Sequence, residues 1–203
     1  MAVYTKKITV MVLQLLASAM YLGGTVSDLE TAAFSYAGRV YLVTISLWRM
    51  CVGPLCVTIQ AEHFTCQTPV PSFFAARAFC IVALIIAAFC ALAAAADLCF
   101  CGPTSMRLTR FLCVIVAAVG AVATALIYCL MLVKFCAQSG MSTFTDSSVG
   151  PSLPMVSLGF VLCLVAMVVE IFAQEKSPLA FTPLGGAVTI HYQLFPVAVP
   201  VNQ

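Results

Sequence analysis

Charge is scarce in this chain of 203 residues: Asp, Glu, Lys and Arg together make up 8% of it. A soluble domain carries about 25%. So few charges cannot coat a surface that faces water. The balance is also thin, with nine basic against seven acidic residues. The basic residues are scattered, which excludes a nucleic-acid partner. Asparagine occurs once, as Asn202 with no Ser or Thr after it, which excludes N-glycosylation. There is no glycine-rich phosphate loop and no hydrolase elbow. What is abundant is apolar surface: 63% of the residues are hydrophobic and the mean hydropathy is +1.12. That excludes a disordered chain. The expected fold class is an α-helical integral membrane protein with the lipid bilayer as its first partner.

A hydrocarbon core about 30 Å thick needs about 20 apolar residues in a helix. Four stretches meet this: Ile8–Gly23, 78–98, Phe111–Val133 and Pro154–Ala173. They define a four-span membrane domain over residues 1–176, with an outer loop at 24–76 and a tail at 177–203. Lys6 and Lys7 precede the first span, and Arg107 and Arg110 lie in the expected connection between the second and third. Basic residues crowd the cytoplasmic side. Both termini are therefore expected in the cytoplasm, with residues 24–76 and Cys136–Leu153 outside. Arg77 and Lys134 fall at outer helix ends, where a long side chain can snorkel to the headgroups. Lys6-Lys7 and the small residues Ala17-Ser18-Ala19 also resemble a secretory signal. The apolar run continues past them through Leu22, which favours a retained helix.

The first outer loop reads as a small antiparallel sheet. Val40–Trp48 is rich in β-branched and aromatic residues, Gly53-Pro54 is a turn signal, and Leu55–Gln60 reads as a second strand. A third short strand is expected near Glu62–Cys66. Trp48, the single tryptophan, is expected where sheet meets membrane. The outside is oxidising, so Cys51, Cys56, Cys66 and Cys136 are disulfide candidates. Cys56 with Cys66 and Cys51 with Cys66 are the two pairings expected within the loop. Cys80, Cys90, Cys129 and Cys163 lie inside spans and read as small core residues. Cys99, Cys101 and Cys113 cluster at the cytoplasmic boundary, where S-palmitoylation and inert packing both fit.

Ala83, Ala87, Ala91 and Ala95 recur at every fourth position, as do Ala117, Ala121 and Ala125 with Gly120 beside them. Small residues let helices approach in lipid, so these rows read as a helix–helix seam. Glu170 is the one acid deep in an apolar span, and Asp97 closes the second. Glu170 sits near the cytoplasmic helix end and reads as a hydrogen-bonded structural acid rather than part of an ion path. His63 and His191 fall on opposite sides of the bilayer and cannot share a metal. No catalytic, cofactor-binding or metal site is expected, and the chain is read as non-enzymatic.

Leu47-Trp48 followed by Cys51, inside a β-rich first outer loop between four spans, resembles the claudin and peripheral-myelin-protein superfamily. Phe74-Ala75-Ala76-Arg77-Ala78 is similar to the claudin element that leads into the second span. Leu22–Asp28, Thr44–Trp48 and Val165–Glu170 resemble segments of amastins, tetraspan surface proteins of trypanosomatid parasites. Arg49 departs from the amastin pattern, which has Gly there. The resemblance implies a claudin-like bundle with Leu47, Trp48, Cys51 and Arg77 as its motif residues. It implies a plasma-membrane protein acting in surface organisation or contact with a host membrane, through self-association or a membrane-protein partner. A claudin-type barrier or adhesion protein and an accessory subunit of a larger membrane complex are the rival expectations.

Overall fold

The computed structural model describes residues 2–36, 38–60, 70–100, 103–132 and 145–174. Four helices carry most of it: α1 (Ala2–Val26), α2 (Val70–Phe100), α3 (Pro103–Leu132) and α4 (Ser152–Gln174). Each is long and apolar enough to cross a membrane. Pro71, Pro103 and Pro154 all fall in first turns, where the missing N–H costs nothing. The helices run past the expected apolar stretches because their polar flanks also pack. Arg107 and Arg110 thus lie within α3, not in a connection.

Consecutive helices run antiparallel, and α4 closes the ring against α1. Ala17-Ser18-Ala19 lies mid-helix, with Ala17 fully buried. On α2 the buried positions include Phe73, Ala76, Cys80, Ala83, Ala87, Cys90, Ala94 and Asp97, the three-and-four spacing of one helix face. Much of the interior is small side chains, with Tyr21, Phe73 and Ile127 among the large ones, whereas Phe89, Leu92, Phe111 and Phe172 point outward.

The alanine rows only partly follow the expected seam. Ala83, Ala87 and Ala91 are buried, but Ala95 is only half-buried. On α3, Ala117 is buried, Ala121 half-buried and Ala125 exposed. Four residues overshoot one helical turn by about 40°, so a strict every-fourth row winds off the contact face. Gly120, on that face, makes the closer approach. A Cβ there would land on the Tyr21 hydroxyl, and one at Gly159 would lie 3.3 Å from the Tyr21 ring.

A five-stranded antiparallel sheet caps one end, in the order β4-β3-β2-β1-β5. Its strands are β1 (Asp28–Tyr36), β2 (Arg39–Ser46), β3 (Arg49–Val52), β4 (Leu55–Thr58) and β5 (Thr145–Val149). The first outer loop therefore holds four strands among its described residues, and the fifth comes from the second loop. The expected strand at 62–66 lies outside the described residues. Gly38 (φ 76°) and Gly53 (φ 58°) supply the positive φ that the two hairpin turns need. Gly150 N–H donates to the Leu29 carbonyl at 2.8 Å, and a Cβ on Gly150 would strike the Asp28 backbone. Leu29, Val43, Ile45 and Leu47 from the sheet share one hydrophobic core with Tyr21, Phe73 and Cys80 from the helices.

Candidate functional site

Leu47, Trp48 and Arg77 meet where sheet joins helices. β2 ends at Ser46 because its hydroxyl accepts from the N–H groups of Trp48 (3.3 Å) and Arg49 (3.1 Å). That side chain offers the backbone an alternative to the ladder. Leu47 and Trp48 therefore form the link between β2 and β3, and the expected strand stops two residues short of Trp48. Leu47 is fully buried. Its carbonyl accepts from Arg77 Nε of α2 at 2.7 Å.

The Arg77 guanidinium lies 4.7 Å from the Trp48 ring centroid, 5.0 Å from Phe73 and 4.9 Å from Phe74. A cation over aromatic faces is held by the ring quadrupole, worth about 0.5–2 kcal/mol per contact depending on desolvation. Nη2 of Arg77 is buried without a hydrogen-bond partner among the described residues. Arg77 clamps the sheet to α2. Trp48 remains partly exposed at 36%. Lys134 lies outside the described residues.

A disulfide joins Cys51 to Cys56. The two face each other across the β3–β4 hairpin in register, with Cα atoms 4.0 Å apart. This corrects both expected pairings to Cys66, since each would need a cysteine already bonded. The turn at Gly53-Pro54 is what sets Cys51 and Cys56 opposite one another. Cys66, Cys136 and Cys101 lie outside the described residues, as do His63 and His191.

At the far end of the bundle a second polar group draws on every helix. Thr109 Oγ1 of α3 donates to Asp97 Oδ2 of α2 at 2.9 Å, and Lys7 Nζ of α1 donates to the Asp97 main-chain carbonyl at 3.1 Å. Asp97 Oδ1 and Arg110 Nε are buried without partners among the described residues. Glu170 of α4 is 7% exposed, with Arg110, Asp97 and Lys7 as its charged neighbours. Lys7, Asp97, Thr109 and Glu170 line a cavity of about 10 Å³, the room one water molecule needs.

Between the two ends, Gln14 is fully buried among the thiols of Cys113 and Cys163. Cys113 is therefore a core residue, closed to an acyl chain, which corrects its place among palmitoylation candidates. Cys99 is exposed. So is Cys129, which the sequence put in the core; its position on α3 faces away from the other helices. Gln14 and Thr109 are the functional-looking residues that sequence reasoning passed over. A lone glutamine in the middle of an apolar run was the available signal for the first.

No protein-family model matches this chain, and no curated protein matches it. Among the described residues, no three of His, Cys, Asp and Glu gather to hold a metal. What the geometry offers is a rigid sheet surface, one thiol–amide cluster and one charged cluster.

Proposed function

We propose that this chain is an integral membrane protein that crosses the bilayer four times. It holds its sheet outside the plasma membrane as a contact surface, in the manner its amastin and claudin-like resemblance implies. It acts in surface organisation or contact between membranes, without catalysis. The membrane reading is supported by an inside-out distribution: large apolar side chains face outward on all four helices, while Gln14, Asp97, Thr109 and Glu170 are buried. Exposed apolar surface on that scale has no use in water. Lys7, Arg107 and Arg110 stand at the bundle end opposite the sheet, which is the basis for reading that end as cytoplasmic.

One observation carries the contact reading. Leu47, Trp48 and Arg77, three of the four motif residues of the resemblance, are joined by one hydrogen bond and a cation–π stack. The clamp fixes the sheet on the helices as a presented surface, and Leu55 (75% exposed) and Val57 (51%) stand out on β4, the outermost of the described strands on that side. A partner subunit would use the same edge, which favours the accessory-subunit reading as the second choice.

Two measurements test this. Cysteines introduced at Ser35 and Ser147 should be labelled in intact cells, and cysteines at Thr104 and Ser177 should not. Labelling at Thr104 in sealed cells overturns the four-span orientation. The full-length protein reconstituted in vesicles should cluster them, and Leu55→Asp should abolish clustering. Purification without crosslinking that returns a stoichiometric partner, with no clustering, would replace the contact reading by the subunit one.

A further inference from the structure

The middle of the bundle holds three thiols and an amide that take no part in presenting the sheet. Cys90, Cys113 and Cys163 are fully buried, as is Gln14. The Cys163 thiol of α4 donates to Gln14 Oε1 at 3.6 Å, and Gln14 Nε2 donates to Cys113 Sγ at 3.4 Å. Cys163 thereby fixes which way the amide faces: with its oxygen engaged, its N–H group points at Cys113. Across the α2–α3 interface, Cys90 Sγ lies 3.1 Å from Cys113 Sγ. Each of the four helices contributes one side chain.

The roles of the two sulfurs differ. Cys113 receives the amide N–H, so its sulfur is the one prepared to carry negative charge when it attacks. Cys90 has an acceptor for its own proton in the Thr109 carbonyl at 3.7 Å. We infer that Cys113 and Cys90 form a dithiol that reacts with hydrogen peroxide, Cys113 attacking and Cys90 resolving. In the first step a Cys113 S–O bond forms, the peroxide O–O bond breaks and one water leaves. In the second, Cys90 Sγ attacks the oxidised sulfur, an S–S bond forms and the oxygen departs as a second water. Two thiols become one disulfide while one peroxide becomes two waters. The sulfurs need to close from 3.1 Å to about 2.05 Å.

A water-sized cavity lies near the sulfur pair. The cavity at the far end of the bundle is lined by Ala94 and Thr109. Ala94 lies four residues after Cys90 and Thr109 four before Cys113, so the cavity stands one helical turn from the sulfur pair. The competing account is inert packing, the usual fate of a buried thiol.

The test uses full-length protein in lipid nanodiscs, exposed to hydrogen peroxide, then denatured, alkylated and analysed by mass spectrometry without reduction. The expected product is a peptide linking Cys90 to Cys113, with the intact mass lower by two hydrogens. With Cys90→Ser, dimedone should trap a sulfenic acid at Cys113. Gln14→Leu should slow closure on the order of tenfold, the loss of one hydrogen bond to a charged sulfur. Recovery of Cys90 and Cys113 as alkylated thiols, at a dose that oxidises the exposed Cys99, overturns the proposal. So does a link that forms only after unfolding.

Discussion

The hydroxyl of Tyr21 occupies the place that a Cβ would take on Gly120. Tyr21 is fully buried, and its ring also passes Gly159 on α4, so one side chain from α1 keys three helices together. Gly120→Ala should cost about 1–3 kcal/mol, the range for overpacking a close-packed core. Gly159→Ala should cost less, since its Cβ would meet the ring at 3.3 Å. Adding Tyr21→Phe to Gly120→Ala should return part of the loss, because the colliding oxygen is gone. Thermal unfolding in one detergent, run as a double-mutant cycle, measures the coupling. Strict additivity would contradict the contact.

Arg77→Lys should behave almost as badly as Arg77→Ala. Lysine has no planar face to lay on Trp48, Phe73 and Phe74, and no Nε–H at the angle Leu47 requires. The expected loss is about 1–2 kcal/mol. Trp48 is the only tryptophan, so its emission reports this site alone. Both variants should shift that emission to the red and raise its quenching by iodide. Unchanged emission in Arg77→Ala would separate Trp48 from Arg77.

Cys51→Ser, Cys56→Ser and the double variant should destabilise the sheet equally, because each removes the same bond. Closing so short a loop contributes about 2 kcal/mol by the chain-entropy relation. The helices should be unaffected. Proteolysis rates at the β3–β4 hairpin, against a helix-specific reporter, check this. A double variant markedly worse than either single one would mean that the cysteines act separately.

Thr109→Val should cost about 1–3 kcal/mol, since it strips the donor from Asp97 Oδ2 and leaves a buried carboxylate short of partners. Thr109→Ser keeps the hydroxyl and should stay close to the parent. Unfolding midpoints in lipid nanodiscs decide between them. A loss for Thr109→Ser with Thr109→Val close to the parent would show that the methyl group, not the hydrogen bond, matters there.

The four helices were legible because each is an apolar run of spanning length, a signal that survives any choice of partner. Strand β1 was not. Its sequence DLETAAFSY is poor in β-branched residues, and it is extended because β2 and β5 supply hydrogen bonds on both sides. Polar β5 is the same case. The pairing of Cys51 with Cys56 was within reach, since the two stand symmetrically about Gly53-Pro54. Reading the turn as a register, rather than as punctuation, yields the bond. Leu47, Trp48 and Arg77 could be picked out by resemblance, but 30 residues separate Leu47 from Arg77, and only packing brings them together. Gln14 and the thiols around it come from four different helices and share no local pattern.

Because β5 pairs with β1, the sheet is complete only when the second loop has been made, more than a hundred residues after β1. At a synthesis rate of about 5–20 residues per second, β1 waits on the order of ten seconds with one row of N–H and C=O groups bare. A bare edge is a template for any extended segment of another nascent chain. Biogenesis of this protein thus has a vulnerable interval that ends with the arrival of Thr145–Val149. Ribosomes translating neighbouring copies on one message would present such edges to each other, and a chaperone that shields β1 until then would raise the yield of folded protein.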